Sequence, residues 1–185
     1  MITPFRPDHD IEQFEDDPLE FIRLDLSIPS TSAGTIGGTS SEAVTRRQAA
    51  ADVLKALVAG GLEEETTEVV GSLIQKGLET YSSNPRENWR SKDVAVYLLG
   101  AIATRGSTVA VRPLLTPAIS LFILTFNSQQ GVTSTNSRIN VVDFFSNNVF
   151  QDLQASEGTV HPILQVDAIR FLNTFRNQVR LSRCR

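Results

Sequence analysis

Cysteine, histidine, methionine and tryptophan are almost missing from this chain: 185 residues hold one Cys, two His, one Met and one Trp. The single cysteine, Cys184, leaves no partner for an internal disulfide and fits a reducing compartment. Beside it stand only His9 and His161, so the clustered Cys/His ligands of a zinc site are not there. His161 precedes Pro162 at a helix start, where a capping or surface role is expected. A basic excess is missing as well: 17 Lys and Arg face 21 Asp and Glu, a formal charge of −4. That balance argues against nucleic acid as a main partner. No stretch reaches the roughly 18 apolar residues of a membrane span. The start, MITPFRPDHD, lacks the apolar core of a secretory signal, so an intracellular soluble protein is expected.

Catalytic motifs are equally scarce. Neither Gly-x-Ser-x-Gly nor His-Glu-x-x-His occurs. Gly34, Gly37 and Gly38 have no following lysine, so PSTSAGTIGGTSS (29–41) reads as a loop rather than a phosphate cradle. Asp143, Asp152 and Asp167 are accounted for by helix-surface or capping positions. The expectation is no catalytic residue, no metal site and no cofactor, in a protein that works by binding.

What the chain does have is one helix pattern in three copies. Hydrophobic residues make up 41% and charged ones 21%. In NWRSKDVAVYLLGAIAT (88–104) the apolar positions Ala95, Leu99 and Ile102 are spaced four then three. Ala50, Leu54 and Leu57 repeat that spacing upstream, and Ala168, Leu172 and Phe175 repeat it downstream. Such spacing puts one side chain per turn on a single helical face. A small first residue lets a neighbouring helix approach closely.

Helices are expected from Asp17-Pro18 to about Leu26, and over about 42–59, 64–82, 91–104, 141–153 and 162–178, with no convincing strand. Gly60-Gly61 and Asn84-Pro85 serve as breaks. Trp89, just before a helix, reads as a staple or inter-repeat core residue. Residues 1–13 read as a flexible N-terminal segment. The acidic run Glu12, Glu15, Asp16 and Asp17 reads as a solvated helix start or as a docking site for a basic partner.

Ala50 and Ala95 stand 45 positions apart, within the roughly 40–47 of HEAT or armadillo units. Ala95 and Ala168 stand further apart because of Val111–Gln129, VRPLLTPAISLFILTFNSQ. This apolar block admits a docked helix or hairpin, an exposed partner-binding segment, a membrane anchor (disfavoured by length) or translated intron. The last is favoured: Val111-Arg112 suits a GTAAGA donor, Leu124-Thr125 a CTAACN branch point and Gln129 a CAG acceptor. The end, 179–185, also opens Val-Arg and reads as read-through. The resulting organisation is an all-α solenoid of about three helix pairs, with repeats at about 14–59, 64–106 and 131–178. It carries a loop insertion at 27–41 and an intron-derived insert at 111–129.

FEDDPLEFIRLDL, TRRQAAADVLKAL, NPRENWRSKDVAVYL, GVTSTN, VVDFF and HPILQVDAIRFLNTFRNQ, in that order, resemble the central part of the exportin-2/CAS family. These are the importin-α re-exporters of the importin-β (karyopherin) superfamily. The resemblance implies a HEAT solenoid of paired A and B helices. It also implies export of importin-α with Ran-GTP, shuttling between nucleus and cytoplasm, and neither nucleic-acid binding, membrane insertion nor obligate homo-oligomer. The insertion-bearing repeat is implied to act in a hinge or clasp of the solenoid. Among the basic residues, Arg46, Arg47, Lys92 and Arg170 are the candidate partner contacts, with Arg90 and Arg176 nearby; solvated charges and intrahelical pairs are the plainer reading. A generic HEAT scaffold and a truncated, non-functional gene product are the alternatives.

Overall fold

The computed structural model describes residues 8–19, 21, 46–107 and 132–182. The loop insertion at 27–41 and the block 111–129 lie outside the described residues.

The described chain is a stack of helices. In order these are α1 (Asp8–Asp16), α2 (Arg46–Ala59), α3 (Glu63–Ser83) and α4 (Trp89–Ala103). After β1 (Thr104–Ser107) and β2 (Val132–Thr135) come α5 (Val141–Phe144), a π-helical turn (Phe145–Val149) and α6 (Phe150–Gln154). The last two are α7 (Pro162–Thr174) and α8 (Arg176–Ser182). Helix α4 is the centre: it packs against α2, α3 and α7, and eleven of its residues are buried. The main core gathers Ala95, Leu99 and Ile102 of α4 with Val70 and Ile74 of α3, Val149 of the π-turn, and Ala168, Phe171 and Phe175. This is an all-α HEAT-type solenoid, with α2, the α3–α4 pair and the α5–α7 group as successive layers.

The repeated pattern explains the close approach. Ala95 and Ala168 are each 1% exposed. Opposite Ala95, a Cβ built on Gly77 of α3 lies 3.5 Å from the Ala95 Cβ and only 2.9 Å from the Ser91 carbonyl oxygen. Gly77→Ala is therefore expected to destabilise the chain by about 1–2 kcal/mol, because overpacking outweighs the helix-propensity gain. Gly71, on the same helix, has open space around it. There Gly71→Ala is expected to stabilise by about 0.4–1 kcal/mol, and urea midpoints of the two variants check both signs.

In the first copy the register differs from expectation by one residue. Ala51 and Val58 are buried, while Ala50 is half-buried and Leu57 is 38% exposed. Helix α2 has its neighbours among the described elements on α3, α4 and β1, so its inward stripe runs Arg47, Ala51, Leu54, Val58. Gly61, at φ 96°, ends α2 as Leu62 N–H bonds to the Leu57 carbonyl, the 6→1 closure of a Schellman turn.

Contrary to the expectation of no strand, two short ones occur among the described residues. A short antiparallel ladder is present: Thr104 pairs with Thr135 and Ser107 with Val132, through an irregular register. The β-branched Val132, Thr133 and Thr135 suit extended backbone, and the ladder brings together the two ends of the intervening segment. The expected flexible segment 1–13 overlaps α1, which holds Ile11 and Phe14 against a small second core. The 162–178 helix is broken at Phe175, and the segment from 179 begins inside α8, where Val179 packs on the main core. As expected, Pro18 opens helical backbone, with Phe21 N–H bonded to the Asp17 carbonyl.

Candidate functional site: the inter-layer polar contacts

Among the described residues no group of three or more His, Cys, Asp or Glu side chains could hold a metal ion, and no helix is long and apolar enough to cross a membrane. The chemistry of this chain lies in its joints. Two adjacent residues of α4, Lys92 and Asp93, reach in opposite directions to the flanking layers.

Asp93 is 0% exposed and faces α2. Its two carboxylate oxygens accept from Arg47 Nη1 and Nη2 at 2.6 and 2.7 Å, a bidentate fork. The guanidinium also lies 4.0 Å from the Tyr97 ring centroid, so its flat face is covered as well as its edge. Lys92 faces the third layer, where Nζ donates to Asp152 Oδ1 of α6 at 2.7 Å. The same ammonium sits 4.7 Å from the Tyr81 ring centroid. Above this pair, α3 and the π-turn with α6 are separated by a cleft of about 120 Å³. Leu78, Tyr81, Ser82 and Lys92 line it on one side and Asn147, Asn148 and Gln151 on the other.

Burial pushes the Asp152 carboxyl above the usual carboxylate range, against the opposing pull of Lys92. Burial raises Tyr81 too, with the Asp152 charge adding to it. A folded-state pKa above the unfolded value means that the native state holds this proton more tightly. The stability from Asp152 is thus fully present below the unfolded value of about 3.9 and lost as pH rises through the folded one. Stability of the parent chain relative to Asp152→Asn is expected to rise as pH falls through that window. Urea midpoints of the two across pH check it; a relative fall on acidification would contradict the assignment.

A third contact binds the ladder to the stack. Asn136, 0% exposed, donates from Nδ2 to Thr67 Oγ1 at 2.8 Å and to the Ile102 carbonyl at 3.2 Å. Its Oδ1 accepts from Arg138 N–H at 2.9 Å, and its own N–H reaches the Ala103 carbonyl. It satisfies carbonyls at the end of α4 that the helix cannot.

Of the four candidate partner contacts, Arg47 and Lys92 are thus drawn inside, 8% and 4% exposed, and tied to other layers. Their pairing satisfies a buried charge, which a helical wheel of the lone segment cannot reveal. Arg170, on α7, keeps a 26% exposed side chain 3.8 Å from Asp167. Arg46 opens α2. Asp93 and Asn136 were missed by sequence reasoning. Asp93 had one legible signal, a charge beside the run VAVYLLGAIA in the helix most enclosed by others. His161 does cap α7, its Nδ1 accepting from Ile163 N–H at 3.3 Å, and its ring stacks on Trp89 at 3.8 Å.

Comparison with known proteins agrees with this architecture. The Cse1 family model matches residues 4–184. The importin alpha re-exporter of Saccharomyces cerevisiae is 37% identical over 177 residues, covering 93% of this chain and 14% of that protein. The Schizosaccharomyces pombe importin-alpha re-exporter is 33% identical, and human exportin-2 30%, each over 92% of this chain and 14% of the relative. A solved structure of the exportin Cse1 in its cargo-free, cytoplasmic state superposes with a TM-score of 0.68 at 36% identity, over 94% of this chain and 15% of that one. The chain therefore spans about 14% of the length of these curated relatives. A match over nearly its whole length, in sequence and in fold, makes this chain a member of the Cse1 family of importin-α re-exporters.

Proposed function

We propose that the chain is a segment of a nuclear export receptor, one that takes importin-α out of the nucleus together with Ran-GTP. The work is done by protein–protein binding on a flexible helical solenoid, without catalysis, and the receptor shuttles between nucleus and cytoplasm. The observation that carries this reading is the family match across residues 4–184, in a chain whose described helices stack as solenoid layers. Layers at about 14–59, 64–106 and 131–178 are its units, and 111–129 and 179–185 are intron-derived and read-through sequence. A solenoid spreads small rotations over many joints, so two partners that favour one shape bind cooperatively.

Within this segment Arg46 and Arg170 remain the proposed partner contacts, whereas Arg47 and Lys92 act by joining layers. The test is a pull-down of importin-α by the full-length receptor, with and without GTP-loaded Ran. Ran-GTP-dependent capture is expected; capture of neither protein would leave only a generic HEAT scaffold. The spliced transcript across codons 105–135 and beyond 178 tests the two suspect segments, and its retention of both would reject their non-coding origin.

A further inference from the structure

The two joints of the stack are built differently. Between the first and second layers, α2 packs on both α3 and α4, and the Arg47–Asp93 fork closes the contact. Between the second and third, α4 and α7 pack through the main core and the buried Lys92–Asp152 pair ties α4 to α6, while the outer side, α3 against the π-turn and α6, borders the small cleft. A close-packed apolar contact resists sliding, because displacement opens voids. A cleft whose rim is mostly amides and hydroxyls, with Leu78 and Lys92 beside them, can change width there while its polar groups exchange partners with water. The third layer also carries the π-turn on this side, whose Asn147 and Asn148 line the cleft.

Across this joint lies a satellite core separate from the main one. Tyr81 and Trp89 come to it from the second layer, Ile163 and Leu164 from the third. Ile11 and Phe14 of α1, together with Phe21, cover them. Phe14 and Phe21 meet edge to face with centroids 5.3 Å apart, on either side of the Asp17 break between α1 and the following helical residues. Trp89 and His161 stack at 8° between planes, one ring from each layer. Rotation of the third layer against the second must shear this cluster.

We propose that α1 and Phe21 form a brace that sets the rotation of the third layer against the second, and that this joint yields when the brace lifts. The cluster is small and detached from the main core, so it opens at lower free energy than α4. The device rests on the packing of the layers and not on the transport reading.

The test uses the whole chain with Cys184→Ser and spin labels at Lys76→Cys on α3 and Gln151→Cys on α6, both exposed positions. Phe14→Ser/Phe21→Ser is expected to broaden or shift the pulsed-resonance distance distribution, whereas Val58→Ala, which weakens the main core in the first layer, leaves it unchanged. An unchanged distribution in a helical Phe14→Ser/Phe21→Ser variant, or equal broadening in Val58→Ala, would overturn the proposal. Hydrogen exchange on the unsubstituted chain gives an independent reading if the double variant does not fold. The α1 amides and that of Phe21, which bonds to the Asp17 carbonyl, should exchange at least about tenfold faster than those of α4. Exchange of all of them only with global unfolding would sink the brace.

Discussion

Replacing Asp93 by alanine will cost the chain about 3–5 kcal/mol, a large share of the roughly 5–15 kcal/mol that holds an ordinary domain together. Asp93 is fully buried and takes both forks of Arg47, itself 8% exposed. Removing the carboxylate strands a guanidinium in the interior, its flat face against the Tyr97 ring. The loss is chiefly that of an uncompensated buried charge rather than of two hydrogen bonds. The paired substitution Arg47→Met/Asp93→Leu should therefore recover most of the stability, since both desolvation penalties vanish together. Arg47→Lys should not, because a point ammonium cannot reproduce the planar fork. Urea unfolding of the three variants and the parent chain, followed by far-ultraviolet dichroism, measures these differences. A loss below about 1 kcal/mol for Asp93→Ala would mean that water reaches the pair.

Phe171→Ala should be comparably severe, at about 3–5 kcal/mol. Phe171 is 3% exposed and lies at the meeting of three other rings. Its centroid stands 4.7 Å from that of Phe175, 5.9 Å from Phe144 and 6.1 Å from Phe145. Truncation takes a large apolar surface out of contact and leaves a cavity that rings anchored on α5, the π-turn and the α7 end cannot collapse to fill. The neighbouring Ile169 is 49% exposed, so Ile169→Ala should change stability by less than about 0.5 kcal/mol. The contrast between residues two apart tests the helical face assigned to α7. Similar losses at both positions would place the helix in the wrong rotation.

Much of this architecture was readable before any coordinates. Helices α3 and α4 fall within a residue or two of their expected bounds, because long amphipathic periods and breaks such as Gly60-Gly61 and Asn84-Pro85 are local signals. The resemblance of the ordered motifs pointed to the family that the comparisons then matched. What went astray depended on neighbours. The inward face of α2 turned by one residue because Arg47, not Ala50, is drawn in to meet Asp93. The β1–β2 ladder escaped notice because its strands are four residues each and far apart in sequence. Residues 1–13 read as a flexible segment, because their polar, acidic composition gave no sign that Ile11 and the following Phe14 pack with Phe21, Trp89 and Ile163.

Sequence alone determined that this chain is helical, that an apolar face recurs along its helices, and to which family it belongs, since periodicity and ordered motifs are properties of contiguous residues. Tertiary structure alone decided which charges are interior ties and which stay at the surface. Arg47 and Lys92 are interior ties because a carboxylate from another layer, 46 or 60 residues away, waits opposite each of them. Burial makes such a pairing obligatory, and burial is set by the stacking of whole helices, which no local window contains.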